Sequence, residues 1–293
     1  KKYFFRDIPS TIGTVISLGI LLFMIIGPFA TKYDPLTVDM GAKLVKPGSI
    51  HIFGTDEMGR DIFSRLAYGS WYSMGTALAV VLLAAIVGII VGGIAGYVGG
   101  WFDNLVMRIC DVFLSFPQVF LAMIIAAAIG AGIGPTIFAL AVSWWPNYAR
   151  MVRGMVIVIK EKLYVESAKA IGMHPLRIIF TIIIPQTMSM VIPQITMGIG
   201  NALIAASGFS FIGLGAQMPT PEWGAMISQG SRFIFNAPYY VIIPGIFIFL
   251  AVLGFSLLGD SLQEATNPEL KICKRSLGEQ LWISAENLKK QEA

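Results

Sequence analysis

The sequence predicts an all-α integral membrane protein with six transmembrane helices, and three observations carry that expectation. Of 293 residues, 56% are hydrophobic and only 13% charged, with a mean hydropathy of +0.73. Such a chain cannot clothe a core in polar surface, which excludes the soluble classes. Apolar runs near the ~20 residues that a bilayer core requires recur between short polar stretches. Finally, 15 Lys and Arg fall in segments assigned to one side of the membrane and 6 in those of the other, a bias that puts both termini in the cytoplasm. The net charge of +4 then reflects basic loops facing an anionic leaflet rather than a nucleic-acid partner.

Taken in order, residues 1–10 form a basic cytoplasmic N-terminus and 11–262 the transmembrane domain. The first span, 11–30, is too long for a signal-peptide core and reads as a retained anchor. Residues 31–75 form an extracytoplasmic loop in which Gly54 and Gly59 alternate with acids and bases before an amphipathic run, an element expected to lie on the membrane. Span two, 76–98, carries Gly88, Gly92 and Gly96, with Gly100 next at the same four-residue spacing, a stripe for close helix packing. A short cytoplasmic turn at 101–111 leads to span three, 112–133, which Gly130, Gly132, Gly134 and Pro135 end.

Span four begins near Thr136 and carries Trp144, Trp145, Pro146 and Asn147, open between packing and lining a pathway. Span five, 185–206, contains Pro193, Gly198, Gly200 and Asn201 and is expected to be kinked. Residues 209–239 return as a re-entrant or interfacial hairpin, and span six covers 240–258. The cytoplasmic tail, 263–293, can form a short amphipathic helix. Cys110 and Cys273 both fall on the cytoplasmic side, so a reduced state is expected.

Between spans four and five, residues 160–185 are charged and punctuated by turns. Residues 163–171 can form a short helix, Gly172 is a natural left-handed stop, and Pro175 can open a second helix. The product is a helical elbow outside the bilayer core. Glu166 stands in the first turn, where a carboxylate is favoured, with Lys162 four residues before and Lys169 three after. Small Ala168 and Ala170 permit close approach.

This segment resembles the EAA loop of ATP-binding-cassette importer permeases, matching it at Glu166, Ser167 and Ala168, then Gly172, then Ile182, Ile184 and Pro185. Ser167 and Ile184 depart conservatively from that pattern. The stretch GTDEMGRDIFSRLAYGS from Gly54 is similar to the C-type permease subunits of dipeptide, oligopeptide and nickel importers. So are Met107 to Asp111 with Pro117, Phe209 to Gly215, and Pro219 to Met226. The resemblance implies a type I importer fold with six transmembrane helices and a cytoplasmic coupling loop, in a bacterial or archaeal inner membrane. It implies a second homologous permease, two ATPase subunits that carry ATP and Mg, and an extracytoplasmic solute-binding protein. Glu166, Ser167, Ala168, Ala170, Gly172 and Pro185 would couple the chain to its ATPase.

The remaining candidates are weaker in pattern. Asn147, Met197, Asn201 and Ser207 could line a pathway, since polar groups in a span must face protein or water; interhelical bonding explains the polar ones as well. Asp56, Arg60, Asp61, Glu222 and Trp223 could meet the binding protein, with internal salt bridging the alternative for the loop charges. No Gly-Lys pair occurs, so no P-loop; GxSxG and HExxH are absent too, and no cofactor or metal site is expected in this chain. His51, without a neighbouring Cys or His, reads as a solvated loop histidine. Peptides lead as cargo, with nickel, a metal chelate or glutathione behind. A secondary transporter or channel would need embedded charges arranged as a relay, which the spans lack. A membrane scaffold or receptor would leave the EAA spacing unexplained.

Overall fold

A computed structural model describes residues 8–266, so the expectations for residues 1–7, Cys273 and the tail helix lie outside the described residues. α1 is Ile8–Ala30 and α2 is Ile62–Val98, with a single 3-10 turn, Met40–Ala42, in the loop between them. α3 (Gly100–Leu114) and α4 (Gln118–Ile129) meet at 87°. α5 is Ile133–Ile159, α6 Leu163–Ala170 and α7 Pro175–Ile178. A π turn, Ile179–Ile183, leads into α8 (Ile184–Phe211), followed by α9 (Trp223–Ser231) and α10 (Tyr239–Thr266). One isolated antiparallel bridge, Thr55 with Asp61, is the sole β feature among the described residues.

Several expected boundaries move. α2 begins at Ile62, not 76, because Asp61 caps it: the carboxylate accepts from the Ser64 N–H at 2.8 Å and the Ser64 hydroxyl at 2.9 Å. The amphipathic run 62–75 is therefore the first part of a transmembrane helix and not an element lying flat. Residues 101–111 form no turn; they are most of α3, and the expected third span is a bent pair. Among the described residues, α1, α2, Pro175–Phe211 and α10 are each long and apolar enough to cross a membrane, and the bent pair could count as a fifth. α5 has the length, 27 residues, but its inner half carries Asn147, Arg150 and Arg153.

α2 is the hub, packed against α1, α5 and α8, while α10 packs on α1 and α8. In lipid, helices gain little from burying apolar surface, so close backbone approach carries the association. The glycine stripe supplies it. A Cβ at Gly88 would strike Tyr148, at Gly92 the Ala149 carbonyl, and at Gly96 the Arg153 carbonyl and Val156, all on α5. Gly100 falls beyond the helix end and touches nothing. α1 and α10 repeat the device with Gly13 against Leu257 and Gly254 against Ile16 and Ser17.

Gly92→Leu should force α2 and α5 apart, at a cost of about 1–3 kcal/mol or more. A thermal-unfolding assay in detergent should register a large loss, whereas Gly75→Ala, whose Cβ meets open space, should unfold like the parent. Equal stability of the two variants would contradict the packing.

Candidate functional site

The elbow forms as its residues dictate. α6 ends in a paired C-terminal lock: the Met173 N–H donates to the Ala168 carbonyl at 3.1 Å and the Gly172 N–H to that of Lys169 at 3.0 Å. This geometry needs a left-handed residue, and Gly172 has φ +76°. His174 is extended, as a residue before proline prefers, and Pro175 opens α7. The second arm is no separate helix, since it continues through the π turn into α8.

The inner stripe of α6 is Val165 and Ala168, packed among Val152, Val156, Ile159, Ile178, Ile183 and Val191. Ala168 therefore serves the chain's own packing, while Glu166, Ser167, Ala170 and Pro185 are exposed. Ser167 returns its hydroxyl to the Leu163 carbonyl at 2.9 Å. Lys169 lies over the Tyr97 ring at 5.4 Å and the Lys160 ammonium donates to the Gly96 carbonyl at 2.9 Å, so the elbow is fastened to the end of α2. Leu163 and Ile171 stand 80% and 78% exposed at the two ends of α6. Sequence reasoning missed them, although both fall outside the inward stripe of Val165 and Ala168, which is the signal that marks them.

Two ion pairs fix α3 to the half of α5 nearer the elbow. Arg153 grips Asp103 with two bonds, at 2.7 and 2.6 Å, and Arg150 reaches Asp111 at 2.7 Å. Asn147 is exposed on the same helix, one turn before Arg150. On α8, Asn201 is exposed and Met197 half-buried against Gly259. Ser207 is buried beneath α9, where Gly224 presses on its backbone, so it lines no open surface here. Its hydroxyl is without a hydrogen-bond partner.

At the opposite end of the bundle, the candidates for partner contact are interior. Asp56, Arg60 and Asp61 are 0%, 1% and 4% exposed. Asp56 accepts from the Arg60 guanidinium at 2.6 Å and from the Met58 and Arg60 N–H groups, and Arg65 lies 3.4 Å away. Arg65 also donates to Gln229, which accepts the Tyr240 hydroxyl as well, so the network fastens the 31–61 loop to α9 and α10. Buried charges must be paired, and the internal bridging weighed from the sequence is what they do. His51 is not solvated: its Nδ1 lies 2.9 Å from Asp61 and its ring 4.8 Å from that of Tyr33.

Glu222 caps α9, accepting from the Ala225 N–H at 2.8 Å and the Ser73 hydroxyl at 3.1 Å. The fully buried Trp223 donates from its indole to the Leu66 carbonyl at 3.0 Å. Neither presents a surface to a partner. No group of three or more His, Cys, Asp or Glu that could hold a metal occurs among the described residues.

The chain is a polytopic helical bundle with glycine-packed spans and a locked, exposed elbow. Residues 88–272 match the family described as the binding-protein-dependent transport system inner membrane component. The chain belongs to that family, and it is the permease subunit of an ATP-binding-cassette importer of the dipeptide/oligopeptide type. It is 44% identical over 255 residues to a glutathione transport system permease protein of Salmonella typhimurium LT2, covering 87% of this chain and 84% of that one. The same identity holds over 225 residues to the corresponding protein of Escherichia coli O157:H7, covering 77% and 74%. The fold resembles that of a chain from the inward-facing MetNI methionine ABC transporter, with a TM-score of 0.51, 18% identity, and 69% of this chain and 96% of that one covered. The chain is thus a multi-pass inner-membrane protein working with ATPase and binding-protein partners.

Arg60→Ala would leave Asp56 with Arg65 alone and take the guanidinium from Glu57, and removing one partner of such a buried cluster costs up to about 3–5 kcal/mol. Limited proteolysis of the purified permease should then cut the 31–61 loop, which the parent protein protects. Unchanged protection would show the network to be dispensable.

Proposed function

We propose that this chain pairs with a second homologous permease, that two ATPases holding ATP and Mg engage the two elbows, and that a solute-binding protein delivers cargo to the opposite face. On this reading the chain hydrolyses nothing itself. The observation that carries it is the elbow, whose inner stripe is packed and locked while Leu163, Ile171 and Glu166 are left outward. An exposed apolar pair around a short rigid helix is what a groove on a partner can grip. Because α7 runs on through the π turn into α8, displacement of the elbow would be carried directly to the helix bearing Asn201. Asn147 and Asn201 are the better pathway candidates of the four, being the two whose polar side chains are exposed.

The cargo is a small peptide. Support comes from the dipeptide and oligopeptide pattern of the sequence and from the relatives named for glutathione, itself a small peptide. Nickel or a metal chelate is the other reading inside the family. Uptake of labelled dipeptide, glutathione and nickel by vesicles holding the full complex separates them; transport of nickel alone would overturn the peptide assignment.

Coupling is tested at the turn. Gly172→Val imposes a β-branched residue on a left-handed backbone, a strain of about 1–3 kcal/mol, whereas Asn tolerates that conformation better. Gly172→Val and Ile171→Asp should insert normally yet lose ATPase co-purification or substrate-stimulated hydrolysis, and Gly172→Asn should keep most of both. Full coupling in all three would reduce the elbow to an ordinary loop.

With both termini cytoplasmic, a cysteine at Ser49 should react with an impermeant reagent added from outside, and one at Ser276 should not. The reverse pattern would invert the topology and remove the elbow from the ATPase side.

A further inference from the structure

At the end of the bundle away from the elbow lies a cavity of about 480 Å³, within the range of small-molecule sites. Its walls come from the segment after α1 and from one face of α2: Lys32, Tyr33 and Asp34 on one side, Tyr68 and Tyr72 on the other, with Pro221 closing it. The cavity thus offers the Lys32 ammonium, the phenols of Tyr68 and Tyr72, and the Asp34 carboxylate, one oxygen of which accepts from the Leu36 N–H at 2.6 Å. The Tyr33 hydroxyl is turned to the Ile50 carbonyl, and the proline walls lack N–H groups. That set suits a compact ligand carrying both an anion and a primary ammonium.

The helix below the cavity says which such ligand. At 3.6 residues per turn, Tyr68, Tyr72, Gly75, Ala79, Leu83 and Ile86 share one face of α2, and no other helix among the described residues covers it: the two tyrosines, Leu83 and Ile86 are exposed, and a Cβ added at Gly75 would meet open space. The small residues at 75 and 79 sink a trough beneath the tyrosines, and the aliphatic ones continue it towards the middle of the span. The level also fits. α2 is 37 residues long, about 55 Å, so it exceeds a ~30 Å hydrocarbon core by several turns. Trp71 and Tyr72, both exposed, fall where interfacial aromatics gather, and α1 ends beside them at Ala30.

We propose that this cavity is a phospholipid site that selects a headgroup bearing phosphate and a primary ammonium, with Lys32 on the phosphate, Asp34 on the ammonium and an acyl chain in the Gly75–Ala79 trough. A soluble peptide shares the charged ends but has no use for the trough, and a second permease chain on this face would leave the polar cavity unexplained. The lipid accounts for both features together. The site is independent of the cargo assigned above.

The test uses the full complex purified in mild detergent from membranes containing phosphatidylethanolamine, with retained lipid counted by mass spectrometry. The parent should hold phosphatidylethanolamine in preference to phosphatidylcholine and phosphatidylglycerol. Lys32→Gln should lower retention about fivefold, in line with one lost cation at a membrane surface. Gly75→Leu, whose Cβ meets open space and whose side chain extends over the trough, should lower it as well, and both variants should still assemble with their partners. Equal retention in the variants, or no headgroup preference, would overturn the proposal. So would displacement of the lipid by a zwitterionic dipeptide, or a disulfide from Gly75→Cys to the second permease, each identifying a different occupant. Loss of the headgroup preference leaves peptide uptake by the complex untouched, and nickel-only uptake leaves the lipid preference untouched, so this inference and the cargo assignment fail separately.

Discussion

The close contact of α2 with α5 is the constraint on which the other arrangements rest. Gly88, Gly92 and Gly96 bring the two backbones together, and everything at either end of the bundle is hung from that pair. At one end, Lys160 leaves the close of α5 to satisfy a carbonyl at the close of α2, which places α6 beside Tyr97. At the other, the first turns of α2 carry Ser64, Arg65, Leu66 and Ser73, the residues that hold the long loop, Trp223 and Glu222. The two ends are some 55 Å apart along one helix of 37 residues. Rigidity of this column is what allows an event at one face of the membrane to have a consequence at the other.

Polar groups within the chain follow a consistent division. Charges that must lie inside are paired at short range, as with Asp56 and Arg60 or Asp103 and Arg153. Groups left exposed within the spans include the neutral amides Asn147, Gln194 and Asn201, and the exposed Arg150 is itself paired with Asp111. An amide facing a watered cavity costs little when wet and does not hold an ionic partner, whereas a buried unpaired charge would cost several kcal/mol. A conduit for small, mostly zwitterionic solutes is better served by such weak, replaceable contacts than by fixed charge.

How much of this was legible in the sequence depends on the range of the interaction. The elbow was readable because its determinants are local: Gly172 for the left-handed turn, Pro175 for the helix start, and an apolar stripe at helical spacing. The glycine stripe was readable for the same reason, and only its fourth member, beyond the helix end, was misplaced. What escaped notice was set by distant partners. Asp56, Arg60 and Asp61 look like surface charges in a polar loop, and nothing local reveals that Arg65, Gln229 and Tyr240 enclose them. Trp223 sits in a turn-rich stretch, yet its indole bonds to a carbonyl 157 positions earlier in the chain. The bend between α3 and α4 falls at Ser115 to Gln118, where Pro117 was a local signal, but the charges of α3 read as a loop and drew the span's start past the corner.

The π turn at Ile179–Ile183 gives the chain a property that neither the elbow nor α8 has alone. A wider turn accommodates a residue that a regular α-helix would have to place elsewhere, and each residue in a helix stands for about 100° of rotation. Those five residues therefore set the phase between the outward surface of the elbow and the side of α8 on which Asn201 stands. With the turn wide, both point usefully at once; wound to regular pitch, one would be swung round the axis relative to the other. The chain is in this sense geared, and the gear ratio is written in a run of Ile, Phe, Thr, Ile and Ile that carries no charge.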